Sequence, residues 1–101
     1  MNILEQNSEK DPEEFYVSLQ QKLEDQHNFP EDYLFKFIIS ASQEKLTEIY
    51  RVFDGLKYST SNRDSKNGNY TSLSISAFVM DAAQVVDIYK KVGTIEGVIM
   101  L

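Results

Sequence analysis

The chain has no cysteine among its 101 residues. Disulfide frameworks, thiol nucleophiles and thiolate metal sites are therefore excluded. No apolar run approaches the length of a membrane span. The first ten residues are polar and acidic, unlike a secretory signal, so the expected location is cytoplasmic. Cations are scarce. Ten Lys and Arg stand against sixteen Asp and Glu, for a formal net charge of −6. Affinity for phosphates comes chiefly from Lys and Arg, so neither nucleic acid nor an anionic membrane is expected as a partner. Chemistry-bearing patterns are also missing. His27 is the single histidine and lies in a polar linker, where an exposed residue is a better reading than a general base. A serine nucleophile would have no other histidine to rely on, and there is no Gly-x-Ser-x-Gly elbow. A phosphate-binding glycine loop, an H-E-x-x-H pair and EF-hand spacing are absent as well. Glu13, Glu14, Glu24 and Asp25 flank a solvated helix rather than a metal. The expectation is a chain without catalytic residues, cofactor or metal, and not an enzyme.

What is present is a strong fold signal. At this length the chain makes one modest core. Residues 1–10 read as a loose tail. Asp11-Pro-Glu-Glu14 then starts a helix, with an N-cap acid, Pro at the first helical position and acids near the positive helix end. Phe15, Tyr16, Leu19 and Leu23 form its apolar face up to about Asp25. Residues 11–28 are read as helix and linker, and Pro30 bars the helix from continuing. Residues 33–39, aromatic and β-branched, form a strand whose continuous apolarity suits a central position. Ser40 or Ser42 caps a second helix with Leu46, Ile49, Tyr50 and Phe53 inward, stopped by Gly55 as the residue just past its C-cap. Leu56 to Arg63 and Tyr70 to Met80 are the arms of a hairpin. Asp81 caps a third helix with Ala82, Val85, Val86, Tyr89 and Val92 inward and Gly93 at its end. Ile95 to Leu101 is the last strand.

After the first helix the order is β-α-β-β-α-β, the split βαβ pattern. It predicts an α+β, ferredoxin-like sandwich over residues 29–101. The antiparallel sheet has the order 4-1-3-2, both crossover helices lie on one face, and an N-terminal helix is added.

Asn67-Gly68 is a hairpin signal, because a two-residue type I′ turn needs φ > 0 at both positions. Centring the turn there pairs Arg63 with Ser72, Ser61 with Ser74, Ser59 with Ser76 and Lys57 with Phe78 on one side of the sheet. Leu73, Ile75, Ala77 and Val79 lie on the other, under the helices. The serine side suits water. The neighbouring half of that open side does not. With Tyr33, Phe35, Phe37 and Ile39 inward, Leu34, Lys36 and Ile38 point away. With Ile99 and Leu101 inward, Glu96, Val98 and Met100 point away. Leu34, Ile38, Val98 and Met100, with Phe78 beside them, then form an apolar half-face, and Lys36 and Glu96 can pair across it. Such a patch is usually covered. One cover is the N-terminal helix folded back as a lid on Phe15, Tyr16, Leu19 and Leu23. The other is a second copy or another protein.

Several segments taken in order resemble the YbeD-like family of small bacterial proteins, a domain of unknown function (family 493). They are Phe29-Pro30, residues 33–38, Ser65 to Ser72 with the strand that follows, residues 86–90, and residues 95–99. Glu14-Phe-Tyr16 with Leu19 and Leu23 is similar to the form in Bacteroidetes-type members. The resemblance covers about residues 11–101. It implies a ferredoxin-like domain similar to the ACT regulatory domains, and it implies no catalytic residue. ACT domains typically hold amino acids on a glycine-bearing loop after the first strand, where this chain has Ile39-Ser-Ala-Ser42.

Two functions follow as expectations. One is a non-catalytic regulatory or protein-interaction module that acts through Leu34, Lys36, Ile38, Phe78, Val98 and Met100 or through the N-terminal helix. Its partner is an unknown protein or a second copy in a homodimer. The alternative is an ACT-type small-molecule sensor acting as a dimer, with ligand near the turn between the first strand and the helix that follows it.

Overall fold

The computed structural model describes residues 12–101; the expected tail and the Asp11 cap lie outside them. Seven elements follow one another: α1 (Pro12–Gln26), β1 (Glu31–Ser40), α2 (Gln43–Val52), β2 (Tyr58–Asp64), β3 (Tyr70–Val79), α3 (Ala82–Val92) and β4 (Ile99–Met100). The strands form one antiparallel sheet in the order β2-β3-β1-β4, which is the expected order counted from the other edge. The architecture is ferredoxin-like with an added N-terminal helix.

Local chemistry accounts for the helix starts. Ser42 is the N-cap of α2, and its hydroxyl accepts from the Lys45 amide at 3.3 Å. Asp81 caps α3 by accepting from the Gln84 amide at 2.8 Å. Each cap satisfies one of the donors that a helix start leaves without a partner. The end of α2 differs slightly from expectation: its C-cap is Phe53, so Gly55 comes two residues past it.

The hairpin has the expected register, with Arg63 opposite Ser72, Ser61 opposite Ser74 and Ser59 opposite Ser76. Its turn is different. Asn67 does not have positive φ; only Gly68 does, at +74°. The Ser65 and Tyr70 main chains close the loop at 2.8 Å, and Gly68 N donates to Ser65 O inside it. Residues 66–69 therefore form a four-residue loop. The Asn67 side chain causes this by accepting from the Asn69 amide and from the Ser65 hydroxyl. The longer loop has the same centre as the two-residue turn, so no pairing changes.

β1 organises the core. Phe35, Phe37 and Ile39 point under the helices and are almost wholly buried. The Phe35 ring meets Tyr33 at 4.8 Å, Phe53 of α2 at 5.2 Å and Tyr89 of α3 at 5.4 Å, all edge-on. Edge-on pairs of this kind contribute about 0.5–1.5 kcal/mol each beyond the area they bury. Ile75, Val79, Ile49, Val85 and Val92 fill the space around them.

The N-terminal helix does not form a lid over the open face. α1 packs against α3 and runs antiparallel to it. Its start lies by Lys90, whose ammonium is 5.0 Å from the Tyr16 ring centre, and its end lies by residues 81–83. Phe15, Leu19 and Leu23 are buried in the same cluster as Phe35. The reason lies in α3, which buries Ala82, Val85, Val86, Ile88, Tyr89 and Val92. That arc is wider than one sheet contact covers, so a second surface is required.

The second correction concerns β4. Residues 95–98 are turn and connection, and Gly97 has φ +80°. Glu96 lies in this turn and not on the sheet; Lys45 of α2 donates to its main-chain carbonyl, and the expected pair of its side chain with Lys36 is not formed. The two residues of β4 pair Met100 with Phe37 and Ile99 with Ile38. Met100 therefore points into the core and Ile99 away from it, opposite to expectation. Residues 98–101 are Val, Ile, Met and Leu, and four apolar residues in a row carry no alternation from which to read the phase.

Three outcomes follow. Phe35→Ala lowers stability by about 3–5 kcal/mol in urea unfolding. Leu19→Ala, on α1, lowers it by about 2–5 kcal/mol, whereas Leu34→Ala on the open face stays within about 0.5 kcal/mol. The Tyr89 phenol is held well above the ordinary value of 10.0 by burial and then by the Tyr33 hydroxyl, 3.2 Å away. Above about pH 10 the unfolded chain gives up this proton while the folded chain keeps it, so stability falls as pH rises. Tyr89→Phe flattens that fall in unfolding curves taken between about pH 8 and 11.

Candidate interaction face of the sheet

With all three helices on one side, the other side of the sheet has no cover among the described residues. Strand alternation decides which side chains it presents. β1 contributes Asp32, Leu34, Lys36 and Ile38, and β3 contributes Ser72, Ser74, Ser76 and Phe78. β2 contributes Ser59, Ser61 and Arg63, and β4 contributes Ile99. Leu101 follows on, its amide donating to the Lys36 carbonyl at 3.0 Å.

The face has two halves. Toward β2 it is a field of hydroxyls. Toward β4 it is apolar: Leu34 is 53% exposed, Phe78 40%, Ile99 39% and Leu101 37%. Ile38, half-buried, lies directly opposite Ile99. Phe78 is opposite Asp32 and so diagonal to Leu34, within reach for a long side chain.

Of the expected interface residues, Leu34, Lys36, Ile38 and Phe78 share this face. Met100 is buried on the other side, 3% exposed, and Val98 packs against the core from the connection before β4. Phe15, Leu19 and Leu23 are buried within the chain, and Tyr16 is half-buried beside them. Burial, with the Glu13 charge second, raises the Tyr16 phenol above its ordinary pKa. Ile99 and Leu101 belong to the face and were missed, for want of phase in residues 98–101.

Two of the hollows away from this face bear on small-ligand binding. An open cleft of about 730 Å³ lies between α2 and the turn before β4, with Lys45, Arg51 and Lys91 among its linings. Lys45 is bound to the Glu96 carbonyl, and Lys91 pairs with Asp87 at 3.0 Å. A second hollow, at the turn between β1 and α2, includes Ser42, Asp64 and Thr71. This is where an ACT-type ligand was expected. There the Thr71 hydroxyl donates to Asp64 at 2.9 Å, and Ser42 is occupied as a helix cap.

His27 is half-buried, where an exposed linker residue was expected. Its Nδ1 lies 3.1 Å from Glu31, which also accepts the Asn28 amide, and its ring faces Phe29 and Tyr33. Among the described residues no three His, Asp or Glu side chains come together as metal ligands. No described helix is long and apolar enough to cross a membrane.

Comparison with known proteins places this geometry. The solution structure of protein HP0495 from H. pylori superposes with a TM-score of 0.59 over 74% of this chain and 85% of that one. At 18% identity the likeness is one of fold. No curated protein matches the sequence. The model of one family, described as a protein of unknown function (DUF493), matches residues 24–101. That span contains the whole sheet, α2 and α3, and begins just after the buried stripe of α1. The chain belongs to this DUF493 family.

Proposed function

We propose that the chain is a non-catalytic regulatory or protein-interaction module that works through the open face of its sheet. The observation that supports this is the apolar strip of Leu34, Ile38, Phe78, Ile99 and Leu101. It is centred on β1, and among the described residues no helix covers it. Apolar groups gathered on one exposed face are characteristic of surfaces that another molecule occupies. The hollow at the turn between β1 and α2 argues less for a small ligand, since Thr71 and Asp64 are bound to each other and Ser42 is spent as a helix cap. The fold by itself assigns no activity.

The test is native mass spectrometry of the tagged chain isolated gently from its own host, beside the double variant Ile38→Asp, Ile99→Asp. A bound protein is expected with the parent chain and is lost from the variant, while the far-UV circular dichroism of the two is the same. A parent chain that emerges alone, or a folded variant that keeps every interaction, rejects the reading.

A further inference from the structure

The open face carries charge of the opposite sign to the molecule. Lys36 and Arg63 project from it, Lys57 stands just before β2 in register with Phe78, and Lys66 lies in the hairpin loop beside Tyr70. Among the described residues Asp32 is the one acidic side chain on the face. Glu31 turns back to His27, and Asp64 accepts from Thr71 on the helical side. Among the described residues four Lys and Arg are thus gathered here with a single acidic side chain. None of the four is in an ion pair among the described residues.

Lys36 is the decisive residue. It lies between Leu34 and Ile38 along β1, opposite Ser74 on one side and Leu101 on the other. Whatever covers Leu34 and Ile38 together must also cover Lys36. An ammonium taken out of water without a counter-charge is strongly unfavourable, so the occupant has to bring an anion to that point. A second copy of the chain fits poorly. A two-fold axis through the middle of the strip sets Lys36 against Lys36 of the second copy. Moving the axis to Leu34 lets Lys36 meet Asp32 of that copy, but it carries Ile38 and Ile99 off the interface. In either case Lys57, Arg63 and Lys66 are unanswered. A nucleic acid would answer the cations and leave the aliphatic strip without purpose, while meeting a chain of net charge −6.

We infer that the occupant of the open face is an acidic segment of another protein. Its apolar side chains lie on Leu34, Ile38 and Ile99, and one carboxylate reaches Lys36. Arg63 and Lys57 then act from the rim, where charge steers the encounter more than it holds the complex. This rests on the reading of the face as a docking surface.

The test uses the full chain with a photo-crosslinking benzoylphenylalanine in place of Ser74, the neighbour of Lys36 on β3, irradiated in its own host. The crosslinked peptide is then sequenced by mass spectrometry. It is expected to come from another protein and to carry a net negative charge with apolar residues. Binding of that protein is then measured with Lys36→Met, which removes the charge and leaves an apolar side chain. An affinity loss of tenfold or more is expected, with a further loss for Lys36→Glu and weakening as salt rises. Lys91→Glu, on the helical layer, leaves affinity unchanged. A crosslink to a neutral or basic segment, to RNA or to a second copy overturns the acidic partner, as does a Lys36→Met variant that binds equally well or better. These outcomes leave the docking face standing wherever Ile38→Asp still abolishes binding. Irradiation that yields no crosslink at Ser74 overturns both.

Discussion

The structure depends on the two-sidedness of one strand. β1 is central, and its alternate residues lead opposite lives: Phe35, Phe37 and Ile39 are locked under the helices, while Leu34, Lys36 and Ile38 face outward. The inward set dominates the energetics. The edge-on contacts of Phe35 with Phe53 and Tyr89 join β1 to α2 and α3, and the hydroxyl contact of half-buried Tyr33 with buried Tyr89 continues the seam toward the start of the strand. Both crossover connections run over the same side of the sheet, and α1 joins them there. The outward set is exposed by topology, and its composition is free to be chosen for another purpose.

That composition is not what an idle surface requires. The β3 and β2 positions of the open face are mostly serine, whereas Leu34 and Ile38 of β1, Ile99 of β4 and Leu101 beyond it surround Lys36. A water-facing strand is ordinarily built from polar side chains. The molecule is also electrically divided. Most of its acids lie on the helical layer and loops, including Glu13, Glu14, Glu24, Glu44 and Glu48, and its open face is basic. Such a division gives a small chain a preferred orientation in the field of a charged partner.

Much of this was legible in the sequence, and the failures are instructive. The pairing of β2 with β3 was read correctly from Asn67-Gly68 although the turn is of another kind, because register depends on where a loop is centred and not on its dihedral angles. Leu34, Lys36, Ile38 and Phe78 were found because Lys36 sets the phase of an otherwise continuously apolar β1, and the serines of β3 set the phase of Phe78. Met100 was misplaced because residues 98–101 have no polar member to set the phase, and because the positive φ of Gly97 lies between α3 and β4. The docking side of α1 was not legible from α1 itself. An apolar stripe states that a helix face is buried, not against what. The informative signal lay on another element, in the breadth of the apolar arc of α3.

The brevity of β4 has a consequence of its own. This edge of the sheet is held by two paired residues and the Leu101 amide, yet it brings Met100 into the core against Phe37. Inward and outward side chains alternate there within a single dipeptide. A molecule resting on Ile99 therefore also fastens Met100, and the hold passes from the surface to the interior through one peptide bond. Occupancy of the outer face and solidity of the core are in this way two readings of the same equilibrium, the fraying of the final strand. The methionine sulfur serves as its natural gauge, since oxidant reaches it only when that strand lifts.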